Sequence, residues 1–185
     1  MYQHILGYFK NPNAIMNDPL FTQDKLKLFW TSFWMIMVAN LVITIPITLL
    51  GEYGVINQDE HAVMDMVMNM PIYISIGAAV IIAPLFEELV FRAPITLFKN
   101  ADARWFKIVF YAFAIVFGFI HISNYELNAT NLLLMPLLCA PQIIAGLFLG
   151  LIRVKVGLLY SMLFHALYNG VLIIPVILYY KYFIS

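Results

Sequence analysis

Three short segments of the sequence place ionisable or amide side chains inside stretches that are otherwise apolar. The segments are 87–92 (EELVFR), 117–121 (FGFIH) and 165–169 (HALYN). A carboxylate and two imidazoles can activate a water molecule for attack on a carbonyl carbon, and a side-chain amide can donate to the oxyanion that results. These residue types therefore indicate hydrolysis, provided that the fold brings the three segments together.

The first segment contains a paired and an unpaired carboxylate. Glu88 and Arg92 are four residues apart, so on a helix they share a face and can form an ion pair. Glu87 is rotated by about 100° from Glu88 and can point elsewhere. Spacing alone does not decide which glutamate does chemistry, but a carboxylate with a partner is the poorer base, and Glu87 is the one without a partner.

The other two segments repeat the spacing of four. Phe117 lies one helical turn before His121 and can pack against its imidazole, and His165 and Asn169 share one helix face. A lone histidine or asparagine in a membrane span often serves only as a hydrogen bond between helices. Two histidines at the depth of a carboxylate favour a functional site.

Two chemistries fit this set of side chains. In one, Glu87 and His121 hold and deprotonate a water, while His165 and Asn169 stabilise the oxyanion. In the other, Glu87, His121 and His165 bind a divalent metal such as zinc, whose water is the nucleophile. The sequence contains no HExxH motif, and Cys139 lies outside these segments.

The composition places the site in a membrane protein. Hydrophobic residues make up 63% of the 185 positions and charged residues 11%, and the mean hydropathy is +0.89. Soluble domains have about 25% charged residues. Ten Lys and Arg balance ten Asp and Glu, which excludes a basic nucleic-acid-binding protein. The partners we expect are the lipid bilayer and a membrane-associated peptide or protein, and the sequence does not predict an oligomeric state.

Uncharged windows predict where the chain crosses the bilayer. A spanning helix needs about 20 apolar residues, and five windows meet that length approximately: 28–51, 66–86, 108–125, 127–152 and 156–180. We therefore predict an all-α polytopic bundle of about five transmembrane helices. Its parts are an interfacial N-terminal segment (1–27), a first transmembrane helix (28–51) and a four-helix catalytic core (66–181). Gly146 and Gly150 predict close helix packing in the fourth span.

The helical rise predicts a common depth for the site. If the second helix continues past Arg92 despite Pro94, Glu87 lies about 18 Å above the cytoplasmic boundary, His165 about 15 Å, and His121 and Asn169 about 21 Å above it. Lys and Arg alternate between successive connections, which predicts a cytoplasmic N-terminus and a C-terminus outside.

The three ordered motifs resemble those of the CAAX-prenyl-protease and bacteriocin-processing intramembrane peptidases, also called the Abi family, over about residues 70–175. The resemblance implies that Glu87 is the water-activating base with His121, and that His165 and Asn169 stabilise the oxyanion. It gives Glu88 and Arg92 supporting roles. Such peptidases are conventionally called metalloproteases, but a metal-free glutamate mechanism is also proposed for the prenyl-protease members of the family. Ala93 and Pro94 depart from the family pattern, in which a glycine often follows the arginine.

The resemblance does not select a substrate. The short chain and minimal loops favour a protein of a prokaryotic cell membrane, and hence a membrane-associated peptide over a prenylated tail. Two other functions compete with peptide hydrolysis. One is a bacteriocin-immunity protein that binds a peptide without cutting it, and the other is a small proton-coupled transporter. The absence of an evident inverted repeat argues against the transporter.

Overall fold

The chain is helical throughout its described part. The computed structural model describes residues 1–13, 24–56, 69–98 and 102–183, and these form helices, turns and loops without a strand. The predicted all-α class is therefore confirmed. Most of the second half of the predicted interfacial segment (14–23) lies outside the described residues, as does the start of the predicted core (66–68).

Four long helices of the described chain have the length and composition to cross a membrane. We label them α2 (Lys25–Glu52), α3 (Ile72–Phe98), α4 (Ala103–Ile120, continued by a 3₁₀ turn at His121–Asn124) and α8 (Leu158–Phe183). The 28 residues of α2 correspond to a helix about 42 Å long. These helices make the chain an integral membrane protein.

The predicted span 127–152 differs from a single long helix. The structure divides it into α5 (Ala129–Leu133), α6 (Met135–Leu138) and α7 (Ala140–Lys155). A proline occupies the first turn of both α6 and α7, where its missing N–H is tolerated, whereas inside a helix it would break the hydrogen bonding. The 16 residues of α7 extend about 24 Å.

The short helix α7 lies at the centre of the bundle, in contact with α4, α2 and α8. Two glycines let α4 approach it closely. A Cβ atom on Gly146 would lie 3.0 Å from Ala114 Cα, and one on Gly150 would lie 2.9 Å from the Phe110 ring. The predicted glycine packing is confirmed, and it fixes α4, the helix that leads to His121, against the core.

An N-terminal helix also packs on the bundle. Helix α1 (Tyr2–Lys10) buries Ile5 and Tyr8, and the hydroxyl of Tyr111 donates to the carbonyl of Phe9. The rings of Phe9 and Phe148 meet edge to face, with centroids 4.9 Å apart. The start of the predicted interfacial segment is thus held against α4 and α7.

The helix that carries both glutamates changes its winding three times. Within α3, an α-helical start (Ile72–Gly77) gives way to a π-helical segment (Ala78–Ile82), an α-helix (Ala83–Phe91) and a 3₁₀ end (Ala93–Phe98). The helix therefore continues past Arg92, as predicted, in a form that accommodates Pro94. Arg153 of α7 holds this end in place, since its Nε lies 3.1 Å from Arg92 O.

Candidate active site

Glu88 is the centre of a buried polar cluster. Its side chain is fully buried, and both of its oxygens are engaged. Oε1 lies 3.0 Å from His165 Nδ1 and 3.5 Å from Arg92 Nε, while Oε2 accepts a hydrogen bond from the hydroxyl of Ser161. The predicted ion pair between Glu88 and Arg92 is confirmed. A carboxylate held on both oxygens has little freedom to take a proton from a substrate water.

Arg92 is held by a charge and an aromatic face. Its side chain is 1% exposed, and its guanidinium carbon lies 3.9 Å from the centre of the Phe117 ring. The ring of Phe91 is further away, at 5.8 Å. Among the described residues the guanidinium has no hydrogen-bond partner. The ion pair with Glu88 and the cation–π contact with Phe117 therefore stabilise its charge.

Glu87 has a different environment from its neighbour. Its side chain is 28% exposed, and its Oε2 lies 3.5 Å from His165 Nε2. The one-residue step along the helix turns it away from Arg92, as the predicted rotation requires. Glu87 is thus the carboxylate that a water or a substrate can reach.

The imidazole of His165 lies between the two glutamates. Its Nδ1 faces Glu88 and its Nε2 faces Glu87. Because a carboxylate accepts hydrogen bonds, Nδ1 carries a proton, and Nε2 is the nitrogen presented to the accessible side. Glu88 therefore fixes both the orientation and the tautomer of His165.

His121 reaches the same region from another helix. It follows the last α-helical residue of α4 and begins the 3₁₀ turn. Its Nδ1 donates to the carbonyl of Phe117 at 2.8 Å, which leaves Nε2 free of that bond. The Phe117 ring contacts both imidazoles, with centroid distances of 4.9 Å to His121 and 5.8 Å to His165. The predicted packing of Phe117 on His121 is confirmed, but in the described chain no ion pair links His121 to Glu87.

Asn169 connects the site to an earlier turn of α3. Its Nδ2 donates to the backbone carbonyl of Ala79 at 3.0 Å. Ala79 lies in the π-helical segment, two turns before Glu87. One amide N–H of Asn169 is therefore committed to the backbone, and the other stays available.

Sequence reasoning missed Ser161. It lies one turn before His165 on α8, fully buried, and its oxygen is also 3.1 Å from Leu149 O. The spacing of four that links His165 to Asn169 extends back to Ser161, so the pattern contained a signal. A serine in an apolar helix is common enough that this spacing alone does not indicate a contact with Glu88.

The predicted metal ligands do not form a preorganised set. The described ranges contain no group of three or more His, Cys, Asp or Glu side chains placed to hold a metal ion. Glu87 and His165 are adjacent, and in both histidines Nδ1 is already engaged, by Phe117 O in His121 and by Glu88 in His165, so Nε2 is the nitrogen left for a ligand. The three side chains are not gathered around one point, and the metal alternative stays a prediction.

Comparison with known proteins gives a match to a family model. The model of the family described as Type II CAAX prenyl endopeptidase Rce1-like matches residues 69–171. No curated protein and no solved structure matches the chain. The matched range contains all three motifs, which confirms the resemblance on which their interpretation depends.

Proposed function

The chain belongs to the Type II CAAX prenyl endopeptidase Rce1-like family, and on that premise we propose that it is an intramembrane endopeptidase acting on a membrane-associated peptide or protein. The observation that supports this most is the accessible carboxylate of Glu87 beside His165, whose other nitrogen is held by a buried carboxylate. Glu87 and His165 both lie on helices apolar enough to cross the membrane. Membrane spans carry such groups mainly where function requires them.

In the proposed reaction Glu87 is the general base. A water near Glu87 and the free Nε2 of His121 gives a proton to Glu87, and its oxygen bonds to the carbonyl carbon of the substrate. The oxyanion receives hydrogen bonds from the second N–H of Asn169 and from Nε2 of His165, which donates when both ring nitrogens are protonated. The carbon–nitrogen bond then breaks, and the proton on Glu87 passes to the leaving amine.

Glu88, Arg92 and Ser161 support this chemistry without touching the substrate. Glu88 orients His165, and Arg92 and Ser161 hold Glu88. Such positioning raises the rate because the reacting groups need no rearrangement during the reaction.

The substrate class can be decided with two matched probes. We propose a membrane-associated peptide without a prenyl group, on the grounds of the short connections between helices, such as residues 156–157 between α7 and α8. Two quenched fluorescent peptides of one sequence, one farnesylated on a cysteine and one carrying an acyl anchor, would be incubated with the full chain in lipid nanodiscs. Cleavage of the acylated probe is the expected result, and cleavage of the farnesylated probe alone would contradict this choice.

The reaction itself is tested by Glu87→Gln, which keeps the shape of the side chain and removes the base. The matched control is Glu126→Gln, since Glu126 is an exposed carboxylate in the loop after α4. We expect the control to keep the wild-type rate and Glu87→Gln to lose it. Membrane peptidomes of cells that produce either protein would be compared in parallel. Equal cleavage by both variants, or peptidomes that do not differ, would contradict the peptidase.

Metal dependence needs a separate measurement. Elemental analysis of the purified protein and its rate after exhaustive chelation distinguish the two mechanisms. Full activity with no bound metal supports the glutamate mechanism that we propose. Loss of activity that zinc restores would favour the metal alternative. The cytoplasmic N-terminus remains part of the proposal, and labelling of single cysteines from either side of the membrane tests it.

A further inference from the structure

The π-helical segment of α3 is explained by Pro84, the residue four positions before Glu88. The backbone N–H of Ala83 donates to the carbonyl of Ala78, five residues back, where an α-helix would use the carbonyl of Ala79. The next residue, Pro84, has no N–H and its ring opposes regular α-helical packing against the preceding turn. Pro84 is buried within the helix, so the wider turn accommodates it.

This winding leaves the carbonyl of Ala79 without a donor in its own helix. In an α-helix the carbonyl of Ala79 would accept from Ala83, but that N–H is used by Ala78. In the π register the carbonyl of Ala79 would accept from the N–H of residue 84, but this residue is a proline and has no N–H. A free carbonyl is unfavourable in a membrane span, and the amide of Asn169 satisfies it at 3.0 Å. Asn169 therefore completes the hydrogen bonding of α3 from a neighbouring helix.

The same turn determines which way the glutamates point. A π-helical turn contains one additional residue, and each residue of an α-helix advances by about 100°. Without the additional residue, the face of α3 before the segment would be rotated by that angle relative to the face that bears Glu87 and Glu88. The bond from Asn169 could then not form while Glu88 faces His165. The Asn169–Ala79 bond and the His165–Glu88 contact can form at the same time because the π turn brings both parts of α3 to face α8.

We infer that Pro84 is a positioning residue of the active site and that Asn169 is its partner. Pro84 imposes the π turn, the turn presents the carbonyl of Ala79, and Asn169 fastens α8 to it. The pair thereby sets the placement of His165 against Glu87. The effect on catalysis rests on the proposed function, whereas the coupling between the two residues does not.

A double-mutant cycle on thermal unfolding tests the coupling. Asn169→Leu removes the amide at similar volume, and Pro84→Ala restores an N–H that can satisfy the carbonyls of the preceding turn. In the full chain in detergent, we expect Asn169→Leu to lower Tm by about 2–4 °C, the shift that one lost hydrogen bond gives in a protein of this size. In the Pro84→Ala background the same substitution should shift Tm by less than half as much.

Pro46→Ala provides the matched control. Pro46 is also inside a long helix, α2, and in the described part of the chain the side chain of Asn169 bonds to Ala79, so Asn169→Leu should lower Tm fully in that background. An equal loss in the Pro84→Ala and Pro46→Ala backgrounds would overturn the inference. If Pro84→Ala does not fold, Asn169→Leu alone decides, because leucine has no N–H that can donate to the carbonyl of Ala79. An Asn169→Leu protein as stable as the wild type would also overturn the inference.

Peptide cleavage tests the catalytic part. With whichever probe the wild type cleaves, we expect Pro84→Ala to lower kcat by about 10–100-fold, since misplacement by about 1 Å has effects of that size, and to leave KM within about twofold. Unchanged kcat in a folded Pro84→Ala protein would overturn this part and leave the peptidase intact. If the wild type cleaves nothing, the proposed function fails, while the unfolding cycle still decides the coupling.

Discussion

Two neighbouring glutamates occupy opposite environments in this protein. On one side is a buried cluster formed by Glu88, Arg92, Ser161 and His165, which we call the anchor cluster. Every member is at most 3% exposed, and Glu88 receives contacts on both oxygens. A charge in such a place is stable only when its partners are arranged around it.

On the other side is an open side formed by Glu87 and His121. Glu87 is 28% exposed and makes a single longer contact, 3.5 Å to His165, and His121 keeps one nitrogen clear of its own helix. In the proposed function, the two glutamates meet two demands within one helical turn. Glu88, contacted on both oxygens, provides rigidity, and Glu87, left partly unpaired, retains the capacity to exchange a proton.

The largest expected effect is a loss of activity, and it distinguishes Glu87 from the anchor cluster. Glu87→Gln should lower the cleavage rate by about 10²–10⁴-fold, because general-base catalysis is lost. It should change the free energy of unfolding by no more than about 0.5 kcal/mol, as expected of a partly exposed site. Measuring rate and unfolding in the same nanodiscs checks both. If Glu87→Gln destabilises the protein as strongly as Glu88→Gln, the two glutamates are not distinct.

Removing the positive charge of the anchor cluster should have the largest effect on stability. Arg92→Met leaves Glu88 buried without its ion pair and should lower the free energy of unfolding by about 3–5 kcal/mol. Arg104→Met, at an exposed arginine near the start of α4, is the control and should change it little. Adding Glu88→Gln to Arg92→Met removes the unpaired charge, so we expect partial recovery. If stability does not recover, Arg92 does not stabilise the protein by pairing with the charge of Glu88.

The hydroxyl of Ser161 should contribute less. Ser161→Ala removes a hydrogen bond to a carboxylate and should lower the free energy of unfolding by about 1.5–3 kcal/mol. Ser123→Ala, at an exposed serine bonded only to its local backbone, serves as the comparison. Chemical unfolding of both variants is the measurement. Equal stability of the two variants would remove Ser161 from the anchor cluster.

The smallest expected effect concerns the ring that separates the regions. Phe117→Leu removes the aromatic face 3.9 Å from Arg92 and should lower the free energy of unfolding by about 0.5–2 kcal/mol through the lost cation–π contact. Phe91→Leu changes a ring that is 5.8 Å away and should lower the free energy of unfolding by less. The comparison of their unfolding curves checks this order. A larger loss of unfolding free energy in Phe91→Leu than in Phe117→Leu would contradict Phe117 as the aromatic partner of Arg92.

Contacts within one helix were predictable from the sequence. The ion pair of Glu88 with Arg92 and the packing of Phe117 on His121 both follow from a spacing of four, which every α-helix converts into proximity. The break in the predicted span 127–152 was less accessible. Its two prolines mark helix starts only where the preceding helix has already ended, and hydropathy does not show where a helix ends.

Contacts between helices were predictable only in outline. The predicted depths of Glu87 and His165 are similar, and the structure adds that the two side chains are adjacent, while His121 is turned toward Phe117. Depth follows from counting residues along a helix. The rotation of one helix against another does not, because it depends on packing at positions such as Gly146.

The sequence by itself determined that this is an all-helical membrane protein and which three segments place ionisable or amide side chains in apolar helices, because scarce charges and regular spacings are local properties of a chain. Only the tertiary structure decided that Glu88 is saturated by His165 and Ser161, and that Asn169 reaches the carbonyl of Ala79. The physical reason lies in the winding of α3. One π turn rotates the rest of the helix by about 100°, and that angle sets which side chains of α8 the glutamates meet.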